Sequence, residues 1–156
     1  AVRARGMIVT NTRDVRAATV AEHTVARILT LASRTAEGDR FIREGKFVGW
    51  EPMLLLGTDI KGKTFGLVGA GRIGSEVAGI LYKAFNMKIV YYDMKKNEGL
   101  EALCEAKFCA TYDEVLAQAD VVSIHVPLLP ATHHLINAEQ ELYAALLLMC
   151  LNSNPK

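Results

Sequence analysis

Three glycines with the spacing Gly69-x-Gly71-x-x-Gly74 constrain the fold of this 156-residue chain more than any other feature. The first of them ends a short apolar run, KTFGLVG. From Arg72 onward, apolar residues recur at the spacing of one helix face. These residues are Ile73, Val77, Ile80, Leu81 and Ala84. The pattern predicts a β-strand, a tight turn and then an α-helix.

An acidic residue stands where a dinucleotide-binding turn of this type needs one. Asp93 ends the next apolar run, KIVYYD, nineteen residues after Gly74. In such a site the first glycine permits the turn, the second admits the pyrophosphate and the third lets the helix pack closely. Amides at the helix start, including those of Arg72 and Ile73, would bind the anion together with the helix dipole. A turn that needs glycine for backbone reasons alone is the alternative.

The charge of Asp93 bears on which cofactor would bind. A carboxylate here accepts hydrogen bonds from ribose hydroxyls and repels a 2′-phosphate, which favours NAD over NADP. Lys95 and Lys96 follow in the next loop, where either could reach a 2′-phosphate. NADP therefore stays possible, although two solvated surface lysines are the simpler interpretation.

Short apolar runs alternate with helical patterns along the chain, which predicts an α/β fold with a doubly wound parallel sheet. The predicted strands are Met7 to Asn11, KTFGLVG, Lys88 to Asp93, KFCATY, ADVVSIHVPL (ended by Pro127) and ALLLMCLN. The predicted helices are Thr19 to Thr35, one from Arg72, Leu100 to Ala106, Thr111 to Leu116 and one capped by Asn137. Between Thr35 and the glycine strand the chain reads as an irregular arm.

Two helix starts have the spacing of capping boxes, Thr19 with Glu22 and Thr111 with Glu114. The first of these helices carries apolar residues on more than one face. It is therefore covered on two sides, either entirely within its own domain or also by a second subunit. The residues leave both interpretations open.

Counted from the glycine strand KTFGLVG, the fourth strand is ADVVSIHVPL. The crossover rules place the first and fourth strands of this dinucleotide-binding unit side by side, so the segment after the fourth strand is predicted to lie beside the glycine loop. His125, Val126 and Pro127 would then line the nicotinamide side. His125 has no acidic partner nearby in sequence, which favours a structural or cofactor-lining role over a catalytic one. The remaining histidines, His23, His133 and His134, form no cluster with metal-ligand spacing, so no metal is expected.

Composition excludes several other classes of function. The formal charge is +1, from 18 basic and 17 acidic residues without a dense basic tract, so neither nucleic acid nor anionic lipid is expected as a partner. No apolar stretch is long enough to span a bilayer. Cys104, Cys109 and Cys150 read as buried free thiols. We expect a soluble, cytoplasmic protein that binds a small molecule or another protein.

With these residues in hand, the chain resembles the cofactor-binding region of the D-isomer-specific 2-hydroxyacid dehydrogenases, above all their glyoxylate and hydroxypyruvate reductases. The similarity runs from about Gly6 to Glu139. It is carried by VTNTRDVRAATVAEHTVARILTLASR, WEPMLLLGTDIKGKTFGLVGAGRIG and ADVVSIHVPLLPATHHLIN. The resemblance implies an incomplete Rossmann-type domain over 1–156, with an entry segment 1–18, a long helix and dimer arm 19–62 and a Rossmann core 63–152.

The resemblance also implies a reaction, hydride transfer between a nicotinamide cofactor and a 2-oxo or 2-hydroxy acid. Gly71 to Gly74 would bind the pyrophosphate, and the helix Thr19 to Thr35 would belong to a homodimer interface. The family's catalytic arginine, glutamate and histidine lie C-terminal to the similarity, and its substrate domain is missing, so no catalytic residue is expected here and the chain alone is expected to be inactive.

Two further points follow from the resemblance. Counted without a gap, Asn152 falls on the asparagine of a family motif, VNTxRG, so Pro155 stands where the catalytic arginine belongs and Lys156 where its glycine belongs. The alternative function is an NAD-sensing interaction protein, similar to the transcriptional corepressors of this fold, whose dimerisation responds to NAD.

Overall fold

A computed structural model describes Gly6, residues 16–137 and the backbone of residues 147–149. Several predicted features therefore lie outside the described residues. They are the strand at Met7 to Asn11, the helix after Asn137, Cys150 and the tail with Asn152, Pro155 and Lys156.

Helices and strands alternate along the described chain. The helices are α1 (Ala17–Ala32), α2 (Thr35–Arg43), α3 (Arg72–Phe85), α4 (Glu98–Cys104) and α5 (Tyr112–Gln118). The strands are β1 (Thr64–Val68), β2 (Lys88–Tyr92), β3 (Lys107–Phe108), β4 (Val121–Ile124) and β5 (Leu147–Met149). They form one parallel sheet in the order β3-β2-β1-β4-β5. The predicted doubly wound sheet is confirmed, with the first and fourth strands of the predicted unit, β1 and β4, side by side.

Both faces of the sheet are covered, which explains why its central strands are apolar almost throughout. Side chains alternate along β1, so Phe65 and Leu67 join the cluster that packs under α1 and α3. Val68 faces the other way and joins the cluster under α5. On that side a Cβ at Gly66 would lie 2.6 Å from the Ala119 Cβ, so glycine here lets α5 pack closely on the sheet.

The predicted start of the first helix is wrong by two residues. The helix begins at Ala17, and Arg16 stands at its N-cap without a side-chain cap hydrogen bond. The capping box of Thr19 with Glu22 therefore does not form, because Ala17 and Ala18 are strong helix formers and extend the helix past Thr19.

The same helix ends at Ala32, earlier than predicted, and the arm after it is not wholly irregular. Arg34 takes a left-handed conformation with φ of 53° and separates α1 from α2. Within α2, which occupies the start of the arm, no residue is buried. Two exposed ion pairs accompany it, Arg34 with Glu37 at 2.7 Å and Arg43 with Asp39 at 2.9 Å.

The second capping box forms in an altered way. The Thr111 Oγ1 accepts a hydrogen bond from the Glu114 backbone N–H at 3.2 Å, as predicted. In return the Glu114 carboxylate accepts from the backbone N–H of Ala110 at 3.0 Å, one residue before the N-cap. The helix continues to Gln118, two residues beyond its predicted end.

Other boundaries differ by a few residues. Helix α4 begins two residues before the predicted start because Asn97 caps it, and β4 ends at Ile124, three residues before Pro127. Cys104 and Cys109 are buried free thiols, as predicted, and burial raises the pKa of both. None of the helices in the described part of the chain is both long enough and apolar enough to cross a membrane.

Candidate functional site

The glycine turn is held in a conformation that only glycine fits at its first and third positions. Gly69 has φ of +98°, and a Cβ there would lie 2.8 Å from the backbone carbon and oxygen of His125. A Cβ at Gly74 would collide with the Gly69 carbonyl oxygen and approach Leu67 to 2.9 Å. Glycine at these two positions therefore brings the β4 end and the start of α3 against the turn.

Gly71 is different, because nothing in the described part of the fold requires glycine at this position. It is the N-cap of α3 in an extended conformation, and a Cβ there would meet no atom within 4 Å. No side chain caps α3, and its first turn carries no acidic residue. The start of a helix presents backbone N–H groups and the positive end of the helix dipole. The absent Cβ leaves this end open to an anion.

The space next to this helix start is a cleft of about 560 Å³. It is lined by Ala17, Ala18, Ala70, Gly71, Arg72, Ser75, Glu76 and Asn97. Arg72 is exposed, Ile73 half-buried and Gly74 buried. Of the predicted binding residues, Gly71 and Arg72 border this cleft directly.

Asp93 lies directly against the glycine turn. Its Oδ2 accepts a hydrogen bond from the Ala70 backbone N–H at 2.8 Å, and its Oδ1 accepts from the Met94 N–H at 2.6 Å. A carboxylate oxygen can accept more than one hydrogen bond, so each keeps capacity for a ribose hydroxyl. Lys96 Nζ lies 5.5 Å from the centre of the Phe108 ring, in a cation–π contact, and Lys95 is exposed.

His125 lies where the turn meets β4. Its backbone N–H donates to the Val68 carbonyl at 2.7 Å, and its Nε2 lies 2.9 Å from the Ser123 Oγ. Burial lowers the pKa of His125 from 6.5 to about 4, so the ring is neutral at pH 7. A neutral ring hydrogen-bonded to a buried serine agrees with a structural or lining role. The next residue, Val126, is half-buried and Pro127 is exposed.

Asn97 belongs to this site and was missed by the sequence reasoning. Its Nδ2 donates to the Ala70 carbonyl at 2.8 Å and to the Ser75 Oγ at 3.2 Å, and its Oδ1 accepts from the Leu100 N–H at 3.0 Å. Asparagine is a favoured N-cap residue. That preference could have located the helix start, but no local signal connects Asn97 with the glycine turn.

A larger cavity, about 660 Å³, opens at the opposite end of the sheet. Its walls include Thr64 and Lys88, the first residues of two parallel strands. Ligands of open α/β sheets bind outside the carboxyl ends of the strands, where the glycine turn, Asp93 and His125 lie. The smaller cleft is therefore the candidate site. Among the described residues, no cluster of histidine, cysteine and acidic side chains could hold a metal ion.

Comparisons with known proteins agree with this geometry. Residues 25–142 match the family model described as "D-isomer specific 2-hydroxyacid dehydrogenase, NAD binding domain". The chain is 43% identical over 137 residues to a glyoxylate reductase of Korarchaeum cryptofilum, which covers 87% of this chain and 41% of that protein. It is 37% identical over 149 residues to a glycerate dehydrogenase of Cucumis sativus, covering 86% and 39%. The chain thus spans about two fifths of the length of these relatives.

Solved structures show the same similarity. One is the D-isomer specific 2-hydroxyacid dehydrogenase of Lactobacillus delbrueckii ssp. bulgaricus, described as its NAD complexed form. It superimposes with a TM-score of 0.80 at 31% identity, over 94% of this chain and 44% of that one.

Proposed function

Because this chain belongs to the D-isomer-specific 2-hydroxyacid dehydrogenase family, as its NAD-binding domain, we propose that the glycine turn and the β4 end form its cofactor site. Gly69, Gly71, Arg72, Ile73 and Gly74 would hold the pyrophosphate, with the helix start supplying N–H donors. Asp93 would accept from the adenosine ribose hydroxyls, and His125, Val126 and Pro127 would line the nicotinamide. NAD is proposed as the preferred cofactor and NADP as a weaker one, since the Asp93 carboxylate would repel a 2′-phosphate on the adenosine ribose.

The observation that carries this proposal is the open helix start at Gly71. Where a Cβ would stand there is open space, at the one end of α3 that attracts an anion. A residue that the fold does not need as glycine is readily explained by a ligand that approaches the backbone. A bound nicotinamide would supply or accept the hydride, and the residues named here bind and orient it.

For the whole protein, we propose reduction of glyoxylate, hydroxypyruvate or a related 2-oxo acid, in keeping with relatives named glyoxylate reductase and glycerate dehydrogenase. None of the described residues is proposed as catalytic. His125 is the strongest candidate by residue type, but its neutral, half-buried ring is a poor proton donor at pH 7. This chain would supply the cofactor half of the reaction and show no turnover alone.

We also propose that α1 and the arm after it form a homodimer contact. Residues Ala21, Val25, Ile28 and Ala32 of α1 are buried within this chain, so the exposed apolar surface lies mainly beyond it. Its members are Ile42, Phe47, Val48, Trp50, Met53 and Leu56, each more than half exposed. A concentration of large apolar side chains at the surface is typical of a protein interface.

The test of the cofactor site is titration of this chain with NADH, followed by nicotinamide fluorescence, for the unaltered chain, Gly71→Ala and Gly79→Ala. The Gly71→Ala Cβ meets no atom of residues 16–137 within 4 Å, so we expect folding to be retained. The added methyl group occupies the anion's approach and should weaken NADH binding at least tenfold. Gly79→Ala makes the same chemical change inside α3 and should bind like the unaltered chain. Equal binding by all three variants would reject the site.

Two measurements, dimerisation and turnover, distinguish the corepressor-like alternative. Dimerisation that depends on NAD, with no 2-oxo acid turnover by the complete protein, would favour a sensor. Turnover by the complete protein and none by this chain would favour the dehydrogenase.

A further inference from the structure

We infer that Asn97 is a positioning residue for the glycine turn, an inference that rests on the proposed function. It lies four residues beyond Asp93, outside every binding motif in the sequence. Ala70, the residue between the first two glycines, is nevertheless held from both sides of its backbone. Its N–H donates to Asp93 at 2.8 Å, and its carbonyl accepts from the Asn97 Nδ2 at 2.8 Å.

The side-chain amide of Asn97 performs two separate tasks. Its oxygen caps α4 through the Leu100 N–H, while its nitrogen holds the turn through Ala70 and Ser75. Aspartate could cap α4 but could not donate a hydrogen bond to a carbonyl. Serine could also cap but is too short to reach Ala70. Among the preferred capping residues, only asparagine combines an acceptor with a donor of this reach.

The asparagine is itself anchored to the core. Its backbone N–H donates to the Tyr91 Oη at 2.8 Å, and this hydroxyl donates to the Glu101 Oε1 at 2.8 Å. Tyr91 belongs to β2 and is fully buried. The hydrogen bonds therefore connect a fixed side chain of the sheet with the backbone that precedes Gly71. These hydrogen bonds would hold the amides that meet the pyrophosphate in one orientation, which lowers the cost of binding.

The test uses Asn97→Ser, which keeps the helix cap and removes only the donor to the turn. We expect its dissociation constant for NADH to rise about tenfold, the effect of losing the Nδ2 hydrogen bonds that orient the turn. Hydrogen exchange at the amides of residues 69–76 should also accelerate in the cofactor-free chain. Asn97→Asp, with the cap kept and the donor lost, should weaken binding at least as much.

Thr111→Ala is the matched control, since it removes the side-chain cap of α5 away from the turn. It should lower thermal stability while leaving NADH affinity and exchange at residues 69–76 unchanged. If the Asn97→Ser chain binds NADH as tightly as the unaltered chain, or if Thr111→Ala weakens binding equally, the inference is wrong. If the unaltered chain does not bind NADH at all, the proposed function itself has failed.

Discussion

The Asp93 Oδ2 accepts a hydrogen bond from the backbone N–H of Ala70 at 2.8 Å, so the acidic residue and the glycine turn form one hydrogen-bonded unit. In a dinucleotide site this carboxylate would accept hydrogen bonds from the hydroxyls of the adenosine ribose. The same carboxylate also holds the glycine turn in place through the Ala70 N–H, and this turn would bind the pyrophosphate. A substitution at Asp93 should therefore change both cofactor choice and local stability.

We predict that Asp93→Asn narrows the preference for NADH over NADPH about tenfold, because the charge that repels a 2′-phosphate is gone. Asp93→Ala should in addition cost about 1 to 3 kcal/mol of unfolding free energy, since the N–H of the buried Ala70 loses its acceptor. Titrations with both cofactors and urea unfolding measure the two effects. Asp59→Asn, an exposed residue with the same charge change, is the control and should alter neither quantity.

The two buried glycines of α3 should respond differently to alanine. A Cβ at Gly74 collides with the Gly69 carbonyl oxygen, which belongs to the backbone and cannot rotate away. Gly74→Ala should therefore destabilise the chain by about 1 to 3 kcal/mol. At Gly79 the nearest atom, 3.3 Å away, is the end of the half-exposed Leu103 side chain.

Gly79→Ala should consequently be neutral or stabilising by up to about 1 kcal/mol, the difference in helix propensity. Thermal unfolding of both variants measures the contrast. Equal destabilisation by the two substitutions would contradict the close approach of Gly74 to the turn.

The sequence predicted which segments meet at the candidate site where the signal was local, and it missed the contact between Asn97 and the turn, where two distant segments meet. Gly69 and Asp93 each stand at the end of an apolar run that predicts a strand. The crossover rules correctly predicted that His125 lies beside the turn, because β1 pairs with β4. The contact of Asn97 with Ala70 joins residues 27 positions apart, and no periodic pattern encodes such a pair. The start of α1 was predicted wrongly because the helix propensity of Ala17 and Ala18 extends the helix past Thr19, although Thr19 and Glu22 have the spacing of a capping box.

His125 should make the chain sensitive to mild acid. Its pKa is about 4 when folded against an ordinary 6.5, so the unfolded chain takes up the proton first as the pH falls. The stability contributed by the neutral ring is present above pH 6.5 and is lost progressively towards pH 4. We expect a loss of roughly 1 to 3 kcal/mol from this residue, since solvent reaches part of the ring.

The measurement is urea unfolding across that pH range for the unaltered chain and His125→Asn, with His133→Asn as an exposed control. The asparagine variant should lose less stability than the other two between pH 6.5 and 4. Parallel curves for all three chains would show that burial of His125 does not perturb its titration.

The arm should drive self-association. Val48, Trp50 and Met53 are 91%, 81% and 77% exposed, and these side chains gain little from contacts within their own chain. Changing Val48 and Trp50 to serine should therefore leave thermal unfolding of the isolated chain nearly unchanged while it abolishes dimers. The burial of such side chains provides most of the free energy at interface centres.

Sedimentation equilibrium measures the dimer directly, and the fluorescence of Trp50, the only tryptophan of the sequence, reports it independently. Its emission should shift to the blue as concentration rises, because dimer formation removes the indole from water. Leu103→Ser, a change of similar type on α4, should dimerise like the unaltered chain. If the unaltered chain remains monomeric at every soluble concentration with a constant Trp50 emission, the arm is not a subunit contact in this chain.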